Sequence, residues 1–176
     1  MSSTISIPEL SITQMSKMLR NLEAWLGKSE AYAQERGFEV DVLMGARLAP
    51  DQFTLARQVQ AACDTAKLAA ARLTGGEAPS HPDDETTIAQ LRERVRSTLA
   101  YLETVTHEAF EGSADREIQL PFAKGKACKG ADYLVEFVVP NFYFHATTAY
   151  AIMRHNGVSV GKYDFIGGVK MYDLPQ

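Results

Sequence analysis

A chain of 176 residues, 45% hydrophobic and 23% charged, has the make-up of a globular domain that can bury a core without disulfides or a structural metal. Its net charge of −4, with basic residues clustered only at Lys124, Lys126 and Lys129, argues against nucleic acid as the principal partner. No apolar run approaches the roughly 20 residues that span a bilayer, and "MSSTISIPELSITQ" lacks the charged and apolar regions of a secretory leader. With two cysteines and no CxxC spacing, the expectation is a cytoplasmic protein with free thiols and no membrane partner.

The first helix is marked by Ser6 and Glu9 of "SIPE", a capping box with Pro8 in the first turn. Met15, Met18, Leu19, Leu22, Trp25 and Leu26 recur at helical spacing, and Gly37 is its expected end. A short helical turn is expected around Val42 to Ala46. Asp51 then reads as the N-cap of a second helix that ends at Gly75. That helix is rich in alanine, which lets neighbours approach closely and places it in the middle of a bundle. Cys63 reads as one of its small core residues.

"GGEAPSHPDDE" is turn chemistry, with His81 on the surface. Thr87 and Gln90 form a second capping box. Ile88, Leu91, Val95, Leu99, Leu102 and Val105 then give a third stripe, and His107 falls near its end on the surface. "REIQLPFAKGKACKG" changes period: Ile118, Leu120 and Phe122 alternate with polar residues, so a β-hairpin is expected, with Pro121 on its edge strand and the lysines at its tip. Cys128 between Lys126 and Lys129 is a minor nucleophile candidate. The fourth helix runs from near Gly130 to Gly157 and contains Pro140, which is expected to bend it and to leave the Glu136 carbonyl without its donor. The tail 158–176 is too apolar for disorder and is expected to fold back on the bundle or onto a second subunit.

The chemistry concentrates on the fourth helix. Leu134, Val138, Asn141, His145, Thr148 and Ile152 share one stripe that is apolar at both ends, so its polar middle faces the core. A buried imidazole needs partners, and Asn141, Thr148, Gln60 and Asp64 are the candidates. Three readings stand: a satisfied network that fixes helix register, a small-molecule or proton-transfer site, and a metal site. The metal reading lacks the second histidine of an i, i+4 pair, since that position is Ala149. His155 lies about 15 Å further along the axis on another face. No metal ligand set is assigned.

The segments "RLAPDQFTLARQVQAACDTAK", "ARLTGGEAP", "DDETT" and "PNFYFHATTAYAIMRHNGVSVGKYDFIGG" resemble a family of unannotated function in the DinB/YfiT-like superfamily. The resemblance implies an all-α, DinB-like four-helix bundle in one domain, with a long crossover, a small hairpin between helices three and four, and assembly as a homodimer. It also implies a divalent ion held by one histidine of the second helix and an HxxxH pair of the fourth, used by transferases or isomerases with mycothiol, bacillithiol or glutathione-like cofactors. In this chain His145 matches the first of that pair, Ala149 replaces the second, and the second helix offers Gln58, Gln60 and Asp64. Two functions follow as expectations: a divergent small-molecule-binding protein or thiol-dependent enzyme relative with a degraded metal site, and a non-catalytic dimeric module.

Overall fold

The computed structural model describes residues 5–174, so the first four residues of the N-terminal stretch and the last two of the tail lie outside it. A π-helical turn, Glu9–Thr13, leads into α1, Gln14–Arg36, which stops at Gly37 with φ 72°. Glu9 accepts from the Ser6 backbone at 2.8 Å, so the acidic half of the expected box forms, while the Ser6 hydroxyl also turns to Glu9. A 3-10 turn spans Val40–Gly45. Helix α2, Leu55–Thr74, is capped by Thr54 and not by Asp51, which sits in the preceding turn. The Thr54 oxygen accepts from Arg57 N at 3.4 Å, the three-residue reach that Asp51 could offer only to a helix starting earlier. Helix α3, Ile88–Thr104, carries the Thr87–Gln90 capping box.

A two-stranded antiparallel sheet follows, β1 Glu117–Gln119 against β2 Ala127–Lys129, with Ile118 opposite Cys128. Pro121 is not in a strand, because β1 ends at Gln119 and the chain turns at once. Lys124 and Lys126 are at the exposed tip, whereas Lys129 belongs to β2 and its Nζ donates to the Asp115 carbonyl at 3.0 Å. Cys128 is likewise away from the tip.

The last long helix is continuous from α4, Gly130–Asp132, through a π segment, Tyr133–Val138, into α5, Val139–His155. Within the π segment Val139 N–H donates to Leu134, five residues back, so a widened turn lies immediately before Pro140. The proline's missing donor is absorbed by this change of register. Gly130 starts this helix against the 113 loop: a Cβ there would overlap the Ser113 carbonyl oxygen.

The two faces of α2 meet α3 and α5. Its alanines Ala62, Ala66, Ala69 and Ala70 are fully or almost fully buried, consistent with close approach on both sides. Helices α2 and α3 run the same way, since Asp64 pairs with Arg94 while His81 bridges Lys67 and Ser97. The segment 75–87 therefore carries the chain back along the bundle as a long crossover. Helices α2 and α5 are antiparallel, because Gln58 meets His145 and Thr65 meets Asn141. The apolar stripes of all four long helices merge into one core around Trp25, Leu55, Leu91 and Phe142.

Residues after α5 return to α1 through α6, Lys162–Ile166. The Trp25 indole N–H donates to the Asp164 carbonyl at 3.2 Å and its ring stacks on Phe165 at 5.5 Å. Asn21 donates to the Phe165 carbonyl, and Lys28 pairs with Asp164. Beyond Gly168 the described side chains are exposed. Among the described residues no helix is long and apolar enough to cross a membrane.

Candidate functional site

The four residues expected to surround His145 fall into separate groups. His145 is buried, and its Nδ1 lies 2.7 Å from Gln58 Oε1. The Gln58 amide nitrogen donates to the Phe53 carbonyl at 3.4 Å, so its oxygen faces the imidazole and the ring carries its proton on Nδ1. Phe53 stacks on the ring at 6.3 Å and Phe144 meets it edge-on at 5.3 Å. Burial, with the Arg57 charge adding to it, pushes the His145 pKa below the usual histidine value and keeps the ring neutral.

Thr148 does not reach His145: its hydroxyl donates to its own helix, to the Phe144 carbonyl at 2.7 Å. Asn141 Nδ2 instead donates to Thr65 Oγ1 at 2.8 Å, and Thr65 donates to the Ala61 carbonyl. Gln60 and Asp64 point away from His145 because Gln60, two residues past Gln58, is rotated from it by about 200°, and Asp64, one residue before Thr65, is rotated from that residue by about 100°. With Gln58 and Thr65, seven residues apart, on the α5 side, Gln60 and Asp64 fall toward α3 and the crossover.

There they join a network around Arg94, a buried guanidinium bonded to Asp64 at 2.8 Å, Glu85 at 2.9 Å and Asp83 at 3.0 Å. Gln60 donates to Glu85 at 2.7 Å, and Arg57 pairs with Asp83. Burial, the largest single influence, would raise the Glu85 pKa, but the Arg94 hydrogen bond, the backbone and Gln60 hydrogen bonds and the Arg94 charge together outweigh it and hold the carboxyl below its usual range. His81, expected on the surface, is half-buried between Lys67 Nζ and Ser97 Oγ, each at 3.1 Å. Burial and then the Lys67 charge lower its pKa. His107 and His155 are exposed.

Neither cysteine is placed for nucleophilic work. Cys63 is fully buried and its pKa is pushed up to about 12 by desolvation. Cys128 is half-buried against the Ile118 carbonyl with no histidine beside it.

A divalent ion does not fit the residues at His145. One ring nitrogen is engaged by Gln58, the next turn presents Ala149, and the neighbouring side chains are phenylalanines. Among the described residues no group of three or more His, Cys, Asp or Glu could hold a metal. No step through an ion, and no thiol transfer that depends on one, follows from this donor set.

The concavity in this region lies one to two turns along, between α2 and the π segment. It encloses about 280 Å³ and is lined along α2 by Arg57, Asp64, Thr65 and Arg72, with Asn141 opposite. Tyr133, Phe137 and Phe122 form its aromatic wall. Sequence reasoning named Asn141 and Asp64 but missed this wall. Its signal was the pairing of Tyr133 and Phe137 one turn apart, just ahead of a mid-helix proline.

A parallel-running α2–α3 pair with a long crossover, closed by a final helix that carries an inward histidine, defines a DinB-like helical bundle. The chain belongs to the family described as "Domain of unknown function (DUF1993)", whose model matches residues 8–166. It is similar to a crystal structure of a DinB family member protein from Shewanella denitrificans, at 49% identity over 96% of both chains with a TM-score of 0.91. Comparison with curated proteins gives no match.

Proposed function

We propose that this chain is a small-molecule-binding member of its family and that the ligand sits in the α2–π-segment groove, with Asn141 at its edge. The supporting observation is the lining: Asn141, Asp64, Arg57 and Arg72 border a concavity with an aromatic wall beside a widened helical turn. Small pockets that combine apolar walls with a few polar anchors are the usual form of ligand sites, and π turns recur at such sites. Asn141 Nδ2 is committed to Thr65, which leaves its carbonyl to accept from a ligand. The His145–Gln58 pair is then a satisfied core contact that fixes how α5 sits on α2. Two unbridged thiols suit a cytoplasmic setting. The test is a fragment screen read by thermal shift, repeated on Asn141→Leu. Hits lost in that variant support the groove, and hits retained in full contradict it.

A second reading, a non-catalytic homodimeric module, is favoured by one observation. Phe53 and Phe144, the rings flanking His145, are 51% and 55% exposed and form an apolar patch that a second copy could cover. A monomer by light scattering at micromolar concentration contradicts it.

A further inference from the structure

We infer that the Arg72 end of the groove is an anion subsite and that its ligand class is a flat aromatic carboxylate. This rests on the groove being the binding site and adds the ligand's chemistry. Of the arginines on α2 and α3, Arg57, Arg92, Arg94 and Arg96 each pair with carboxylates. Arg72 pairs with none among the described residues; its Nη1 donates to the Tyr133 hydroxyl at 2.9 Å, and its guanidinium carbon sits 5.8 Å over the Tyr133 ring. The contact holds the fork in place and leaves its charge uncompensated. A planar carboxylate matches such a fork with two parallel hydrogen bonds.

The wall sets the rest of the ligand. Tyr133 stacks on Phe137 at 5.9 Å, and Phe122 lies over Phe137 at 5.5 Å, so three rings run from the guanidinium toward the hairpin. Phe122 is 70% exposed at the groove rim, an aromatic surface with room for a further ring. A volume of about 280 Å³ admits one or two fused rings and little more.

The probes are 2-naphthoate and its neutral counterpart 2-naphthamide, titrated into the whole chain at pH 7 and followed by NMR of the Arg72 Nε–H and the Tyr133, Phe137 and Phe122 rings. The expected result is shifts at these groups and binding of the acid about tenfold tighter than the amide. In Arg72→Gln the ratio falls to near one, and Tyr133→Phe, which keeps the ring, retains the preference for the acid. Phe122→Ala, at an exposed position, weakens both probes and leaves their ratio unchanged; affinities equal to the parent chain overturn the proposal. Equal affinity of the parent chain for acid and amide, or a preference that survives Arg72→Gln, also overturns it. If naphthoate misses the groove while fragments of other chemistry shift Asn141, the carboxylate assignment falls and the groove reading stands. If nothing shifts the groove residues, both fall.

Discussion

His145 Nδ1 and Gln58 Oε1 lie 2.7 Å apart, buried beside the rings of Phe53 and Phe144. Removing one partner leaves the other buried and unpaired, whereas replacing both with apolar groups is close to neutral. His145→Leu and Gln58→Leu are each expected to cost roughly 1–3 kcal/mol, and the double variant less than the sum. Urea unfolding of the four proteins checks this. Additive costs would mean that the contact is not an energetic unit.

The two shielded histidines make stability depend on pH in a definite direction. Burial lowers the pKa of both His145 and His81 from 6.5, so the unfolded chain binds more protons between the lowered values and 6.5. Stability therefore rises with pH across that interval; it is fully present above 6.5 and is lost as pH falls toward the folded values. Carboxylates held low by arginine, such as Glu85, act at lower pH, below 4.5. Urea midpoints between pH 5 and 7.5 are expected to change less in His81→Gln/His145→Gln than in the parent chain. An unchanged slope would remove these rings as the cause.

Arg94 ties the crossover to the helices, with carboxylates of α2 and the 75–87 segment around a buried charge. Arg94→Met removes the buried cation that Asp64, Asp83 and Glu85 share, and the expected loss is about 3–5 kcal/mol. Denaturant unfolding measures it. Amide exchange along residues 78–86 is expected to rise at the same time, since that segment loses its anchor.

Gly130 is demanded by proximity, not by backbone angle. Gly130→Ala drives a methyl group into the Ser113 carbonyl, and an overpacking cost of about 1–3 kcal/mol is expected as a lowered Tm. Because Gly130 opens the rod that carries Tyr133 and Asn141, the same variant is expected to weaken ligand binding in the groove.

The chain's one tryptophan reports on the tail. Trp25 is buried, bonded to the Asp164 carbonyl and stacked on Phe165. Phe165→Ala is expected to red-shift its emission and to cost about 1–3 kcal/mol. Unchanged fluorescence would mean that α6 does not hold this place in solution.

What the sequence disclosed follows the range of the forces involved. The ends at Gly37 and Gly75 and the Thr87–Gln90 box are set within a few residues and were legible. Asp51 and Thr54 were both chemically able caps, and only the path of the preceding turn chose between them. Gln58 and Gln60 were equally good partners for His145 by composition. The choice turns on the rotation of α2 about its own axis, which depends on how its alanines seat against α3 and α5. Pro140 signalled a disturbance, but that a π turn would absorb it, and leave an aromatic wall beside a groove, depended on Phe122 arriving from the hairpin.

The most direct test of the ligand-groove account is a side-chain amide NMR titration of the whole chain against a fragment set, with Zn²⁺ added in a parallel sample. The account predicts that binding fragments move the Asn141 amide and the Tyr133 and Phe137 rings, while equimolar Zn²⁺ leaves His145 unchanged. Fragments that bind without touching Asn141, together with stoichiometric Zn²⁺ shifts centred on His145, would contradict it.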